Sequence, residues 1–400
     1  MPWKRAIPPS TPAAVPAMVA PPPTRRNPLT GSVVGLLGLG FLGLMVLVCL
    51  GTLPYTLGRE RVRVEGADGT VAVQAGAPRY ASGNPAAGRL PPLWFPKDEV
   101  ATAQAASAVP AAEAERIAAE LAEELGVPVE EVAAAEPDDP LTVAYRERLA
   151  AAAPKFLLGS DVLGRSLWVR VLAGGGISLG IGIAAAAISV VIGTLYGALA
   201  GYAGGKTDAV MMRVVDVLYG LPYILLVVLL AVAGDAVLER LVARYGEIST
   251  GARTTIDVLM LLVAIGGVSW LTMARVVRGQ VLSLKGQPFV EAARAAGASP
   301  RRVFCRHLLP NLVGPIVVYA TLTVPQAILQ ESFLSFLGIG VQPPLPSWGN
   351  LAAEGLVELN GHRSHWWLLL FPSVLLGLTL LSLNFVGEGL REAFDPRRRK

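Results

Sequence analysis

The stretch from Lys285 to Asn311 reads KGQPFVEAARAAGASPRRVFCRHLLPN and lies between two long apolar runs, near 256–276 and 312–337. Its charges keep it out of a bilayer. Each neighbouring run is long enough to cross one, because a membrane-spanning helix needs about 20 apolar residues. The two runs and the polar segment between them predict a helical membrane domain with a loop in water.

The composition of the whole chain agrees with this interpretation. Of its 400 residues, 53% are hydrophobic and 16% are charged, whereas soluble domains carry about 25% charged residues. In a soluble protein the net charge of +4 would raise the question of nucleic acid. In this chain the topology accounts for the basic residues, and no nucleic-acid partner is expected.

Outward from the loop, six runs are long and apolar enough to be spans. They lie near 32–53, 176–200, 209–234, 256–276, 312–337 and 367–388. The predicted fold class is an all-α integral membrane protein with six transmembrane helices. Residues 1–30, rich in proline and alanine, are predicted to be a disordered tail before the first span at 31–55. The main membrane domain is expected over 156–395.

The distribution of lysine and arginine predicts the orientation of these spans. With the N-terminus inside, the inner segments hold 17 lysines and arginines, and the short outer loops hold 4. Cytoplasmic loops of membrane proteins are enriched in these two residues. Both termini and the 285–311 loop are therefore predicted to be cytoplasmic.

A long insert, 56–155, follows the first span and is predicted to be extracytoplasmic. Alternation from Arg61 to Val73 around an Asp-Gly pair predicts a small hairpin. Further on, apolar residues at helical spacing end at Gly126, a helix stop, and Asp139-Pro140 predict the start of another helix. The core that these elements can bury is thin and rich in alanine.

Three segments match enzyme signatures without the context that the chemistry needs. Residues 200–207, AGYAGGKT, resemble a phosphate-binding loop. Such a loop joins a strand to a helix in a nucleotide-binding domain, whereas this one separates two spans. We interpret it as a tight inner turn. Residues 38–43 match a dinucleotide fingerprint and residues 176–180 a hydrolase elbow, but both belong to predicted spans.

Small residues in the second predicted span have a simpler interpretation. Gly193, Gly197 and Gly201 follow one another at four-residue spacing. Small residues on one face of a membrane helix let two backbones approach closely. This spacing predicts a close contact between helices.

Two histidines in the last outer loop could bind a metal ion. His362 and His365 are three residues apart, so one helical turn would bring both imidazoles together. Glu354 and Glu358 are the nearest further ligands in the sequence. The alternative is a membrane-interface belt built on Trp366 and its neighbours, with two solvated histidines.

The 285–311 loop itself predicts two short helices. The first runs from about Pro288 to Ala296 and ends at Gly297. The second is capped by Ser299, begins at Pro300 and ends at Pro310. From these features alone, the loop is either a small-residue surface that enters a groove of a partner or an ordinary basic inner loop.

The motifs of this loop resemble the EAA loop of binding-protein-dependent ABC importer permeases. The match consists of Glu291-Ala292-Ala293, then Gly297, then Leu309-Pro310. Residues 158–166, LGSDVLGRS, and 331–349 resemble the dipeptide and oligopeptide (nickel) branch of that family. The resemblance covers about 155–395 and the first span, and leaves out the 56–155 insert.

This resemblance implies a bacterial inner-membrane permease without a cofactor or catalytic residues of its own. Its partners would be a second permease subunit, two ABC ATPase subunits and an extracytoplasmic solute-binding protein. The solute, a di- or oligopeptide or similar small molecule, would cross by alternating access. Coupling to the ATPase is expected through Glu291, Ala292, Ala293, Gly297, Leu309 and Pro310.

Three charged residues within the spans are further candidates. Charges inside a membrane usually face the helix bundle or a water cavity. Arg213 and Asp216, one turn apart, are predicted to pair. Glu331 is a candidate for the translocation path or the subunit interface, and a purely structural polar contact is the alternative for all three.

Two other classes of protein remain as alternatives. A membrane-anchored receptor would bind a ligand with the 56–155 insert, which should then fold separately and need no ATPase. An intramembrane enzyme would need catalytic groups inside the spans, but all three histidines lie outside them.

Overall fold

The structure, a computed structural model, describes residues 33–65, 71–134, 139–246, 249–361 and 363–394. The predicted tail at 1–30 lies outside these residues. The helices before the main membrane domain are α1 Val33–Gly51, α2 Leu53–Thr56, α3 Glu99–Ser107, α4 Ala111–Leu125, α5 Val129–Ala134 and α6 Pro140–Ala152. The helices that follow are α7 Leu167–Ala203, α8 Gly205–Tyr219, α9 Tyr223–Tyr245, α10 Thr250–Lys285, α11 Pro288–Ala295, α12 Pro300–Val303, α13 Leu309–Phe336, α14 Trp348–Val357 and α15 Trp367–Phe394.

The mainly α-helical membrane fold is confirmed. Among the described residues, five helical segments are long and apolar enough to cross a membrane, and six if the bent pair α8–α9 counts as one span. The predicted third span, 209–234, is not one continuous helix, because α8 and α9 meet at 89°. Pro222 lies at this break. Proline has no N–H to donate and disfavours helical backbone in the residue before it, which explains the bend.

The centre of the membrane domain is the close packing of α7 against α10. A Cβ atom added at Gly197 would lie 2.3 Å from the carbonyl oxygen of Ala274. At Gly193 it would lie 2.5 Å from the Cβ of Met273, and at Gly201 2.9 Å from the Cβ of Val281. The predicted close approach of another helix to these three glycines is therefore confirmed, and that helix is α10.

The segments that resemble enzyme motifs lie in helices or turns. Residues 38–43 are inside α1, and residues 176–180 are inside α7, which begins at Leu167. The phosphate-loop match forms the turn from α7 to α8, where Gly204 and Gly205 have positive φ. The interpretation as a tight turn is confirmed.

The insert contains the predicted hairpin and two predicted helices. Strands β1 Arg59–Glu65 and β2 Val71–Pro78 are antiparallel, with Val64 opposite Ala72. The Asp-Gly pair between them lies outside the described residues. Helix α4 ends at Gly126, whose φ of 69° is left-handed, and the Asp139 side chain accepts a hydrogen bond from the Leu141 N–H at the start of α6. Helices α2, α3, α5 and α14 were not predicted.

Polar contacts join the insert to the membrane domain. Ser160, just before α7, accepts a hydrogen bond from the Leu90 N–H at 2.8 Å and donates one to the Ala87 carbonyl at 2.6 Å. Arg89 forms a bidentate pair with Glu358 after α14, at 2.7 and 3.0 Å. The insert is therefore held against the end of the membrane domain where α7 and α15 begin.

Candidate coupling surface and polar clusters

Local sequence signals build the first helix of the 285–311 loop as predicted. Helix α11 begins with Pro288 at its first position and ends at Ala295. Gly297 follows with a φ of +78°. Few residues other than glycine adopt this left-handed conformation easily. The glycine therefore lets the chain reverse towards Ser299, whose hydroxyl accepts from the Arg302 N–H and caps α12.

The second helix was predicted to end at Pro310, and this prediction is wrong. After α12 the chain makes one π-helical turn, Phe304–Leu308, and continues directly into α13. In this turn the Leu309 N–H bonds to the Phe304 carbonyl, five residues back. This wider turn precedes Pro310, which has no N–H to donate, and the helix continues through the proline. The loop is thus a direct extension of a span.

One side of the loop is buried in the membrane domain. Val290, Val303 and Leu308 are 0 to 1% exposed and pack in one cluster with residues of α7 and α10. The Tyr202 hydroxyl, near the end of α7, donates to the Pro300 carbonyl at 2.9 Å. Lys285 donates to the carbonyls at the C-terminal end of α7. These contacts attach the loop to the ends of α7 and α10.

The opposite side of the loop is exposed and includes several small residues. Glu291, Ala292 and Gly297 are exposed, and Ala293 is half-buried. Among the described residues, none apart from its chain neighbours comes within 4 Å of a Cβ added at Gly297. Leu309 and Pro310 are also exposed, at the start of α13. The structure thus leaves five of the six predicted coupling residues exposed, and Ala293 half-buried, on a well-packed support.

The predicted pair between Arg213 and Asp216 is not formed. Asp216 accepts a hydrogen bond from Arg275 of α10 at 2.8 Å, and the same guanidinium lies over the Tyr219 ring at 4.0 Å. Arg213 is exposed. Arg275 reaches Asp216 because α10 packs beside α8, and its aromatic contact adds a second attraction.

A less exposed ion pair between the same two helices was not predicted. Asp208 of α8 accepts two hydrogen bonds from Arg278 of α10, at 2.5 and 2.7 Å. Asp208 is 8% exposed. Both residues lie towards the ends of their helices that meet the 285–311 loop. The sequence signal was present, since each is a charged residue at the margin of an apolar run.

Glu331 is fully buried among serines. Its carboxylate accepts from the hydroxyl of Ser335 at 2.8 Å, and from that of Ser332 at 3.3 Å. Ser178 of α7 and Ser347, the N-cap of α14, lie beside the same carboxylate. Hydroxyl donors and a nearby helix N-terminus are the partners that a carboxyl group removed from water needs. The arrangement joins α7, α13 and α14.

The LGSDVLGRS segment forms a buried ion-pair cluster at the other end of the domain. Asp161 accepts from Arg165 and from Arg170, both at 2.6 Å. Arg170, 2% exposed, also donates to both carboxylate oxygens of Glu354 in α14. A buried guanidinium is tolerated when it is paired in this way. The cluster fixes the start of α7 against α14.

Of the two histidines considered as metal ligands, His362 lies outside the described residues. His365 is 5% exposed, and its Nδ1 lies 3.0 Å from the Glu358 Oε2. Burial lowers the pKa of His365, and hydrogen bonding from Arg89 lowers the pKa of Glu358. Within the described part of the chain, no three side chains of the metal-binding types come together. Glu358, one of the candidate metal ligands, is instead hydrogen-bonded to Arg89, and His365 packs beside Glu358.

Comparison with known proteins relates these features to transport systems. Residues 189–400 match the family described as binding-protein-dependent transport system inner membrane component. The chain is 49% identical over 241 residues to the oligopeptide transport system permease protein OppC of Escherichia coli K12, covering 60% of this chain and 72% of that protein. It is 44% identical over 242 residues to the dipeptide transport system permease protein DppC of Bacillus subtilis, covering 60% and 69%.

One solved structure is also similar in part. It is an inward-facing form of the MetNI methionine ABC transporter, with 18% identity and a TM-score of 0.44. The similarity covers 57% of this chain and 98% of that one.

Proposed function

From the premise that this chain belongs to the family of inner membrane components of binding-protein-dependent transport systems, we propose that it forms the solute path of an ATP-driven importer. Relatives that are 44 to 49% identical are named as dipeptide and oligopeptide permeases. We therefore propose di- or oligopeptides, or similar small solutes, as its cargo. The chain would act as a transport subunit, with ATP hydrolysis left to its partners.

The proposed assembly contains a second permease subunit, two ATPase subunits and an extracytoplasmic solute-binding protein. In this arrangement both termini and the 285–311 loop face the cytoplasm, and the insert faces the solute-binding protein. The path would open to either side in turn as ATP is bound and hydrolysed. A partner can drive such a change only through different contacts with the two states.

The 285–311 loop supports the proposal because one of its sides is exposed and the other is packed against the spans. Its outer side presents Glu291, Ala292 and Gly297, a shallow surface that a cleft in an ATPase subunit can cover. Its inner side is packed against α7 and α10, and its end continues into α13. A displacement of the outer surface would therefore be passed directly to three spans.

The charged candidates of the spans have secondary roles in this proposal. Arg213 and Asp216, exposed on α8, are proposed to face the path or the second permease subunit. Glu331 is enclosed by α7, α13 and α14 in this conformation. It would meet a path only after α14 moved, so we propose for it a role at the moving interface.

The receptor alternative requires an insert that folds as a separate ligand-binding domain. The insert instead shares hydrogen bonds and an ion pair with the membrane domain, through Ser160 and Arg89. No specific observation favours the receptor function over transport.

Bulky substitutions on the outer side of the loop test the coupling. We expect Ala292→Trp and Gly297→Trp to abolish peptide uptake in proteoliposomes with all partner subunits, and to uncouple ATP hydrolysis from the solute-loaded binding protein. Gly297→Ala is the control for backbone strain. Alanine has the same unfavourable energy as tryptophan in the left-handed conformation, but its side chain is small. It should retain most of the uptake.

Assembly must be measured in the same samples. The ATPase should co-purify with the Gly297→Ala variant as it does with wild type. Each tryptophan variant should either fail to co-purify with the ATPase or bind it without coupling ATP hydrolysis to uptake. Normal uptake by both tryptophan variants at normal expression would exclude the loop as the coupling surface.

A further inference from the structure

A turn of the insert has three large apolar side chains exposed on the protein surface. Leu93, Trp94 and Phe95 are 55, 57 and 37% exposed. The Leu93 N–H bonds to the Phe156 carbonyl at 2.8 Å, and the Phe95 N–H to the Pro92 carbonyl at 2.9 Å. The backbone of the turn is therefore held in place, and its exposed side chains do not belong to a loose segment.

The position of this turn relative to the last span is defined by ring contacts. The Trp94 ring lies 6.2 Å from Trp366 and 6.4 Å from Phe371, and the Phe95 ring lies 5.5 Å from Trp366. Phe371 is four residues into α15, about 6 Å along the helix axis at 1.5 Å per residue. The turn therefore lies level with the first turn of a membrane-spanning helix.

The apolar surface of the turn continues onto the exposed side of that helix. Leu370, Val374 and Leu378 of α15 are 41 to 45% exposed at helical spacing, the pattern of a lipid-facing side. After Phe95 the chain is polar again, with Lys97 and Asp98. A narrow group of aromatic residues between an apolar span and polar residues is typical of the membrane–water interface.

We propose that the Leu93–Phe95 turn is an interfacial anchor, which inserts among the lipid headgroups at the end of the spans opposite the 285–311 loop. Its ligand is a phospholipid surface. Because the contact is apolar, it should depend little on the charge of the lipid. The anchor would hold the insert on the membrane beside α15, and it does not depend on coupling to an ATPase.

Spin labels on the full-length chain in nanodiscs test the proposal. Single cysteines replace Leu93 or Trp94 in a Cys49→Ala, Cys305→Ser background. Leu378→Cys is the lipid-facing control, and Glu123→Cys, on the exposed surface of α4, is the aqueous control. The measurement is the ratio of collision rates with oxygen, which concentrates in lipid, and with a water-soluble nickel chelate.

We expect both turn positions to give ratios above that of Glu123→Cys and below that of Leu378→Cys, because Leu378 lies about 10 Å further along α15 than Phe371. Nanodiscs of phosphatidylcholine and of phosphatidylglycerol should give the same result. Ratios equal to Glu123→Cys at both turn positions would overturn the proposal and place the turn in water. A large ratio only in phosphatidylglycerol would also overturn it, since it would indicate a charge-dependent contact.

Discussion

Single glycines decide how closely the central spans pack. Gly197 of α7 touches the backbone of α10, and a Cβ there would lie 2.3 Å from a carbonyl oxygen that cannot rotate away. At Gly180, on the same helix, an added Cβ would have no contact within 4 Å from any described residue outside its own stretch of the helix. The same substitution should therefore have opposite effects at these two positions.

We expect Gly197→Ala to destabilise the protein by about 1–3 kcal/mol, the cost of overpacking a close contact. Gly180→Ala should stabilise it by about 0.5–1 kcal/mol, because alanine has a smaller entropy cost than glycine in a helix. The measurement is the apparent melting temperature in detergent by fluorescence-detected size exclusion. Equal melting temperatures for the two variants would contradict the packing of α7 on α10.

At the scale of the elements, two ion pairs connect α8 to α10, and they differ in burial. The Asp208 side chain is 12% exposed and that of Arg278 33%, whereas those of Asp216 and Arg275 are 54 and 38% exposed. Exposed pairs contribute about 0–1 kcal/mol. Loss of Asp208 removes two hydrogen bonds from Arg278. Because the Arg278 side chain is 33% exposed, water replaces part of them, and we expect a cost of about 1 kcal/mol.

Asp208→Ala should therefore lower thermal stability more than Asp216→Ala, its matched control on the same helix. The exchanged pair Asp208→Arg with Arg278→Asp should recover part of the loss, since it restores opposite charges at the same contact. Melting of the four proteins in one detergent measures the difference. A larger loss of thermal stability for Asp216→Ala than for Asp208→Ala would contradict the prediction that the less exposed pair contributes more.

At the scale of the whole molecule, we expect the contact between the insert and the membrane domain to depend on pH. The pKa of Glu358 is lowered from 4.5 by Arg89, so this pair stabilises the contact above pH 4.5 and is lost as pH falls through the lowered value. The pKa of His365 is lowered from 6.5 by burial, so protonation also opposes the contact as pH falls below 6.5. Both groups weaken the contact in acid.

Labels at Glu123 and Leu378 can measure this contact by pulsed electron spin resonance. We expect a single narrow distance distribution at pH 7.5 that broadens first below about pH 6.5 and further below about pH 4.5. Arg89→Ala should broaden it already at pH 7.5. Lys155→Ala, an exposed cation of the same insert, is the control and should leave it narrow. A distribution that is unchanged between pH 7.5 and 4 would rule out the ion pair as the contact.

The sequence by itself determined the features that depend on neighbouring residues. The apolar runs, the small-residue spacing at Gly197, and the cap and stop residues around Gly297 and Ser299 are local signals, so the spans and the first loop helix followed from them. The signal at Pro310 was misleading, because a π-helical turn before the proline let the helix continue.

Only the tertiary structure decided which distant side chains meet. Asp216 bonds to a residue 59 positions away instead of its neighbour Arg213, and Arg170 meets Glu354 across 184 positions. Packing also sets three further features: the bend between α8 and α9, the burial of Glu331, and the position of the insert beside α15. Local patterns specify how a segment folds, but the partner of a charge depends on which helix lies beside it, and this is fixed only when the whole bundle assembles.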